Sequence, residues 1–377
     1  MKILITVGIF PPDIGGPASF VPKIAKHLQE NGFEVTIICL SNEKIVDNES
    51  FKIIRILRNQ NLMIRWIKTI FKMISNGRNA DTIFVNGLPM EAYIANLFLR
   101  KKLIRKIVGD WAWERGRNKA IINDSFDEFQ KNKHNLHLEI AKFSRGWTAT
   151  KADLVITPSV HLKNVVKNWG VSENNLKVIY NGTNIQSKIT KKENEVLHFI
   201  TVGRLAPWKN IDKIIQAMAI LNEKGFNFIF NIVGSGPLNE KLKILVKELK
   251  LENKIFFLGQ KNTEELNKIY LDSDIYIQAS GYEGLPHVIL EAINFNLSII
   301  STPVGGTNEI LLDGKNGWIL KLKDKKAPDE FDLQEIIYEL VDNKTKSNNL
   351  IHNAKEYLIE NFDEDKNLNK YIELFKQ

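Results

Sequence analysis

Residues 281–295 read GYEGLPHVILEAINF, with Glu283 in a loop and Glu291 about one and a half turns inside a helix that the apolar spacing predicts from Pro286 onward. Proline suits a first helical position because its missing N–H has no partner there in any case. The amides near Gly284, Leu285, Pro286 and His287 then point outward from a helix start. Such amides and the helix dipole favour a phosphate. A carboxylate beside a diphosphate is repelled by it, yet it accepts hydrogen bonds well from the vicinal hydroxyls that ribose and hexose both offer. One reading therefore gives the phosphates to the amides and the sugars on either side to the two glutamates. The other is plainer: a solvated loop glutamate and a glutamate favoured in an early helical turn.

A second constellation, VGRLAPWKN at 202–210, puts Arg204 and Lys209 in a loop directly after a predicted strand. Two fixed cations there would neutralise a diphosphate and the charge that develops as it leaves. Solvent-facing loop cations are the alternative. The stretch FPPDIGGPASF at 10–20 carries Gly15-Gly16 between a strand and a helix, so backbone can approach a ligand closely or simply turn. It is not the G-x-G-x-x-G dinucleotide fingerprint, which counts against a nicotinamide oxidoreductase. IVGSGPL at 232–238 is a further short glycine loop. His134 and His137 lie one helical turn apart without further metal ligands and read as solvated helix residues. The tryptophans of GDWAWERG stack on a sugar or pack, with packing the commoner use.

These loops need a scaffold. Short β-branched runs alternate with helical patterns along the first half: KILITVGIF, helix 18–31, FEVTIICL, helix 62–76, DTIFVNG, KIVGD and DLVITPS. The second half repeats the rhythm, with strands LHFITVGRL, FIFNIVGSG, KIFFLG, DIYIQAS and LSIISTPVGG and helices at 210–224, 237–250, 263–272 and 286–295. Strands recurring between helices argue for parallel α/β sheets covered on both faces. The polar stretch NGTNIQSKITKKENEV at 181–196 is the linker candidate. The expectation is two doubly wound Rossmann-like domains, 1–185 and 195–360, facing a central cleft, with a helix at 361–377 crossing back to the first. In open α/β sheets ligands bind beyond the carboxyl ends of strands, where these loops lie.

Composition fits a soluble globular protein: 377 residues, 44% hydrophobic and 25% charged, enough to bury two cores. The opening run MKILITVGIF breaks at Pro11-Pro12, too short for a membrane span and without the pattern of a secretory signal, so it reads as a strand. Cys39 is the single cysteine, which excludes an internal disulfide and suits a reducing cytoplasm. The net charge of +8 is uneven, because residues 1–183 hold 27 Lys and Arg against 16 Asp and Glu, whereas the remainder holds 25 against 28. Those cations are scattered without a nucleic-acid recognition motif, so no nucleic-acid partner is expected. Residues 62–76 align Met63, Ile67, Ile70 and Ile74 along one helical face, with Arg65, Lys68 and Lys72 on another. That pattern suits either an anionic membrane surface or packing on the sheet with a basic edge.

Taken in order, PPDIGG, ADLVITPS, VIYNGTN, GRLAPWKN, VGSGPL, FFLG, YEGLPHVILEA, TPVGGTNEIL and DGKNGW resemble the nucleotide-sugar-dependent, retaining glycosyltransferases of the GT-B fold, the glycosyl transferases group 1. The E-x7-E element, met by Glu283 and Glu291, is the most specific. The resemblance implies that Arg204 and Lys209 bind the donor diphosphate, Glu291 the nucleotide ribose and Glu283 the donor sugar. It implies that Gly16 brings its amide to the phosphates, that the loop at Leu258 holds the base, and that Gly234 and Gly236 border it. No metal or other cofactor is implied. Where relatives often carry a histidine facing the reacting sugar, this chain presents Asp110, as a group to orient or deprotonate the acceptor hydroxyl. The function implied is transfer of a sugar from a nucleotide sugar to a glycan or lipid-linked cell-envelope acceptor, with retention, in the cytoplasm or at the cytoplasmic face of the membrane. A nucleotide-sugar epimerase or hydrolase of the same fold, or a non-enzymatic nucleotide-sugar-binding protein, are the alternatives.

Overall fold

A computed structural model describes residues 1–186, 189, 194–323 and 327–377. Of the linker candidate 181–196, residues 187, 188 and 190–193 lie outside the described residues. The chain divides into two compact units: Met1–Val108 with Asn135–Ile179 and Leu368–Gln377, and Gly109–His134 with Tyr180–Asn367.

Seven strands build the first sheet: β1 (Lys2–Val7), β2 (Glu34–Ser41), β3 (Lys52–Leu57), β4 (Thr82–Val85), β5 (Lys102–Lys106), β6 (Leu154–Thr157) and β7 (Leu176–Val178). Helices in chain order are α1 (Gly16–Glu30), α2 (Leu62–Gly77), α3 (Pro89–Leu99), α4 (Trp111–Asn118), α5 (Phe126–Lys131), α6 (Leu136–Thr150) and α7 (Val160–Lys167), of which α4 and α5 belong to the second unit. The strand order is β3-β2-β1-β4-β5-β6-β7 and every pairing is parallel. Central strands read as continuous apolar runs because helices cover both faces. Ile3, Ile5, Val7, Ile37, Cys39, Phe84 and Ile104 accordingly share one core with Val21, Ile24 and Leu28 of α1. Burial pushes the Cys39 thiol up to about 11, which leaves it protonated and inert.

The second unit repeats the plan with β8 (Leu197–Val202), β9 (Phe228–Val233), β10 (Ile255–Gly259), β11 (Ile275–Gln278), β12 (Ser298–Ser301) and β13 (Trp318–Ile319), ordered β10-β9-β8-β11-β12-β13. Its helices are α8 (Ile211–Glu223), α9 (Asn239–Glu248), α10 (Thr263–Leu271), α11 (His287–Asn294), α12 (Glu330–Asp342) and α13 (Lys344–Asn361). Both sheets share the order 3-2-1-4-5-6, with β7 added at the edge of the first, and each is doubly wound and reverses direction beside its first strand. The expected fold class, two Rossmann-like parallel-sheet units, is the one observed.

Several local expectations are corrected. KIVGD is not a strand, because β5 ends at Lys106 and Asp110 caps the helix that follows. The strand β3 and helices α4, α5 and α7 lie in stretches where no element was expected, since the first is flanked by charge and the others are six to eight residues long. Gly109–His134 groups with the second unit although it precedes the expected boundary. From Leu368 the final helix, α14 (Glu364–Lys376), belongs to the first unit, where Tyr371 packs on Phe20 and Phe84, with ring centroids 5.6 and 5.9 Å apart. On α2 the inward positions are Thr69, Met73 and Gly77, one every four residues. Of the predicted apolar face, Met63 and Ile67 are exposed and Ile70 and Ile74 half-buried; Ile64 and Phe71 are exposed beside them.

Candidate active site

Strands β8 and β11 are neighbours, and the sheet reverses its winding between them. The loop after β8 carries Arg204 and Lys209; the loop after β11 carries Glu283 and leads into α11. Winding direction thus brings residues from distant sequence to one end of the sheet. Backbone bonds fix the meeting: Gly281 N–H donates to the Trp208 carbonyl at 2.7 Å, and the Asn210 side-chain amide donates to the Ala279 carbonyl at 2.8 Å. Lys209, in a short 3-10 turn spanning Pro207–Lys209, forms an ion pair with Glu283 Oε1. That oxygen also accepts from Ser280 Oγ at 2.6 Å. The pair is largely shielded, with side-chain exposures of 18% and 13%. Arg204 is exposed.

Glu291 projects from α11, and its Oε2 accepts from Tyr270 Oη at 3.1 Å. Burial pushes the Tyr270 hydroxyl well above its ordinary range, with the Glu291 charge adding to the effect, so it stays a donor. Pro286 is the cap of α11 rather than its first helical residue, and the helix starts at His287. Leu285 and Pro286 are buried, and His287 half-buried. Gly284 and its loop are clasped from behind: the Gly306 amide donates to the Glu283 carbonyl at 3.0 Å, and a Cβ on Gly305 would stand 1.8 Å from that same oxygen.

Gly234 and Gly236 serve a close approach within the protein. A Cβ on Gly234 would fall 1.9 Å from the Gly203 carbonyl oxygen, and one on Gly236 2.5 Å from that of Leu205. Leu258 lies on β10 just before Gly259, whose carbonyl accepts from the Gly234 amide at 2.8 Å. Gly16 lies in the other unit as the first residue of α1, and a Cβ there would meet nothing within 4 Å. The segment before it is tied down by Arg58, which meets Asp13 Oδ2 at 2.5 Å and Gly8 O at 2.8 Å, and by Arg55, which donates to Pro11 O at 2.8 Å.

Asp110 is fully buried as the cap of α4: Oδ1 accepts from the Ala112 amide at 3.0 Å, and Oδ2 from Gln130 Nε2 at 2.9 Å. A carboxylate whose two oxygens both accept inside the protein is built to start a helix. What that helix carries was not foreseen. Trp113 is 1% exposed and packs on Trp208 and Tyr282, with ring centroids 5.3 and 5.4 Å away; Phe126 stacks on Tyr282 at 3.5 Å. Packing, rather than sugar stacking, is therefore the use of Trp113, while Trp111 is exposed. The next residue, Glu114, is half-buried and interacts electrostatically with Lys209, Arg204 and Glu283. The only sequence signal for this was a tryptophan beside an acid in GDWAWERG. His134 is not a solvated helix residue: it precedes α6, its Nε2 meets Asp124 Oδ2 at 3.0 Å, and its ring packs on Phe129 at 4.7 Å. His137, inside α6, is exposed.

Comparison with known proteins accounts for both units. Residues 14–187 match the family Glycosyltransferase Family 4, and residues 183–357 match Glycosyl transferases group 1. An uncharacterized glycosyltransferase of Methanocaldococcus jannaschii is 28% identical over 100% of this chain and 98% of its own length. A Campylobacter jejuni protein named N-acetylgalactosamine-N,N'-diacetylbacillosaminyl-diphospho-undecaprenol 4-alpha-N-acetylgalactosaminyltransferase is 26% identical over 85% of this chain and 87% of its own. Among solved structures, Anabaena HepE in complex with UDP-glucose superposes with a TM-score of 0.79 at 19% identity, covering 100% of this chain and 99% of that one, so the fold is shared. With the two family matches meeting end to end and the doubly wound units observed in both halves, residues 183–357 belong to the glycosyl transferases group 1 and the chain is a glycosyltransferase of the GT-B fold.

Proposed function

We propose that the protein transfers a sugar from a nucleotide-sugar donor to a glycan or lipid-linked acceptor of the cell envelope, with retention of anomeric configuration. The observation that carries this reading is the convergence of Arg204, Lys209 and Glu283 with the start of α11 at the switch point of the second sheet. Cations and helix amides there suit a diphosphate, and the two carboxylates suit sugar hydroxyls. HepE, in complex with UDP-glucose, supports a nucleotide-sugar donor, and the diphospho-undecaprenol in the Campylobacter protein's name supports a lipid-linked acceptor.

In this reading Glu291 holds the nucleotide ribose, with Tyr270 keeping its carboxylate in place. The diphosphate competes with Glu283 for Lys209, which frees the Glu283 carboxylate for the sugar. The bond between the anomeric carbon and the diphosphate oxygen breaks, and its electron pair stays on that oxygen. The acceptor hydroxyl oxygen bonds the same carbon, and its proton passes to the departing diphosphate. Arg204 and Lys209 stabilise the charge as it develops. Asp110 acts through α4 by holding its first turn, and no metal has a role.

The test is incubation of the purified protein with nucleotide sugars, with and without lipid-linked acceptors. Nucleoside diphosphate released only when acceptor is present, with a glycosylated product, is the expected result. Release without acceptor would mark a hydrolase. A new epimer without release would mark an epimerase, and stabilisation by nucleotide sugar without turnover a binding protein.

A further inference from the structure

Three consecutive pairs of residues share one design. Trp113 packs on both Trp208 and Tyr282, with ring centroids 5.3 and 5.4 Å away, and each of the three is followed directly by a charged residue: Glu114, Lys209 and Glu283. The aromatic cluster is buried, so the three backbones that carry the charges are held together by apolar packing. Glu114 therefore reaches the site from α4, an element the site's loops do not contain. Its carboxyl lies over the turn before α4, where a Cβ on Gly109 would come within 2.9 Å of Oε1.

We propose, within the nucleotide-sugar reading, that Glu114 is a further catalytic residue: a neutral carboxylic acid that donates a hydrogen bond to the donor diphosphate. Both cations and a carboxylate surround it. Arg204 and Lys209 face it from the loop after β8 and Glu283 from the loop after β11, while Arg115, Arg117 and Asp110 share its segment. Burial pushes the Glu114 carboxyl above the usual carboxylate range; Lys209 and Arg204 pull it down, and Glu283 pushes it further up. When a diphosphate joins the two cations, its charge cancels their pull. The added negative charge beside the carboxyl then favours its neutral form, so Glu114 takes up a proton, and a protonated carboxyl is a donor where an ionised one only accepts. Glu114 keeps this proton throughout transfer, because the proton on the departing diphosphate comes from the acceptor hydroxyl.

Proton uptake on binding is the signature. The nucleotide sugar is the probe, because its diphosphate is esterified at both ends, unlike a free nucleoside diphosphate whose terminal group titrates near about pH 6. A thermal-shift series of nucleotide sugars identifies the one that stabilises the protein. Calorimetry in two buffers of different ionisation enthalpy then counts protons. Wild type is expected to take up a proton on binding, and to bind about tenfold more tightly at pH 5.5 than at pH 8. The isosteric Glu114→Gln should take up none and show affinity that is flat over this range, while Glu114→Asp should recover part of the uptake. Uptake unchanged in Glu114→Gln, or absent in wild type whether or not the variant folds, would overturn the role of Glu114 while leaving the donor reading intact. Failure of every nucleotide sugar to bind would overturn the donor reading itself.

Discussion

Lys209 and Glu283 form an ion pair across 74 positions of sequence, linking the loops that leave the two strands where the second sheet reverses its winding. Removing either partner leaves the other as a shielded charge. Lys209→Ala and Glu283→Ala should each cost about 1.5–3 kcal/mol of stability, and the double variant less than their sum. Chemical denaturation of all four proteins completes the cycle. Strict additivity would mean the pair contributes no coupling, and that each residue stays in place for other reasons.

Glu291→Ala should weaken nucleoside diphosphate binding by about tenfold or more, because a charged hydrogen-bond acceptor is lost. Tyr270→Phe should weaken it less, since that change frees the Glu291 carboxylate without removing it. Calorimetric titration decides. Equal affinity in Glu291→Ala and wild type would take Glu291 out of the donor site.

Two glycines should respond oppositely. Gly234→Ala forces a methyl to within 1.9 Å of the Gly203 carbonyl oxygen and should cost about 3 kcal/mol or more. At Gly16 the added carbon meets nothing within 4 Å, so Gly16→Ala should shift stability by no more than about 0.5 kcal/mol. Thermal midpoints of the two variants make the comparison. Similar losses in both would mean the loops do not approach as described.

The Asp13 carboxyl is held below the usual carboxylate range, chiefly by its hydrogen bonds from Arg58, against a smaller opposing effect of burial. A depressed folded pKa contributes stability above the unfolded value of about 3.9, and that contribution is lost as pH falls through the folded value. Asp13→Asn should therefore destabilise the protein at pH 7, and the difference from wild type should shrink below about pH 4. Thermal midpoints across pH 3 to 7 test this. A constant difference would assign the loss to packing.

Among the described residues no helix is long and apolar enough to cross a membrane. On α2, Met63, Ile67 and Phe71 are 67%, 59% and 65% exposed, alongside Lys68. Vesicles rich in anionic lipid should float the protein at low salt. Lys68→Glu with Lys72→Glu should weaken this by about tenfold or more, at about 1 kcal/mol per cation. Arg65 is a less direct probe, because its guanidinium also donates to the Arg58 carbonyl at 3.1 Å. Flotation unaffected by the reversals would remove α2 from any lipid contact.

Much of the scaffold was legible because its signals are local. Apolar runs such as ILITV and FIFNIV mark buried parallel strands; Arg204, Lys209 and Glu283 were visible in the loops that follow two of them, and Glu291 in the helix after the second loop. What packs across the chain was not legible. Periodicity cannot say that Trp113 meets Trp208 and Tyr282, because that contact depends on how a helix from the first half seats against loops of the second. Nor can it say that Asp110 spends its two oxygens starting that helix, since an acid before an apolar residue reads equally as base or cap. The sequence by itself determined the doubly wound units and the residues at their strand ends. Only the tertiary structure decided that Glu114 joins them, because burial of the rings of Trp113, Trp208 and Tyr282, far apart in sequence, carries the acid to the cations.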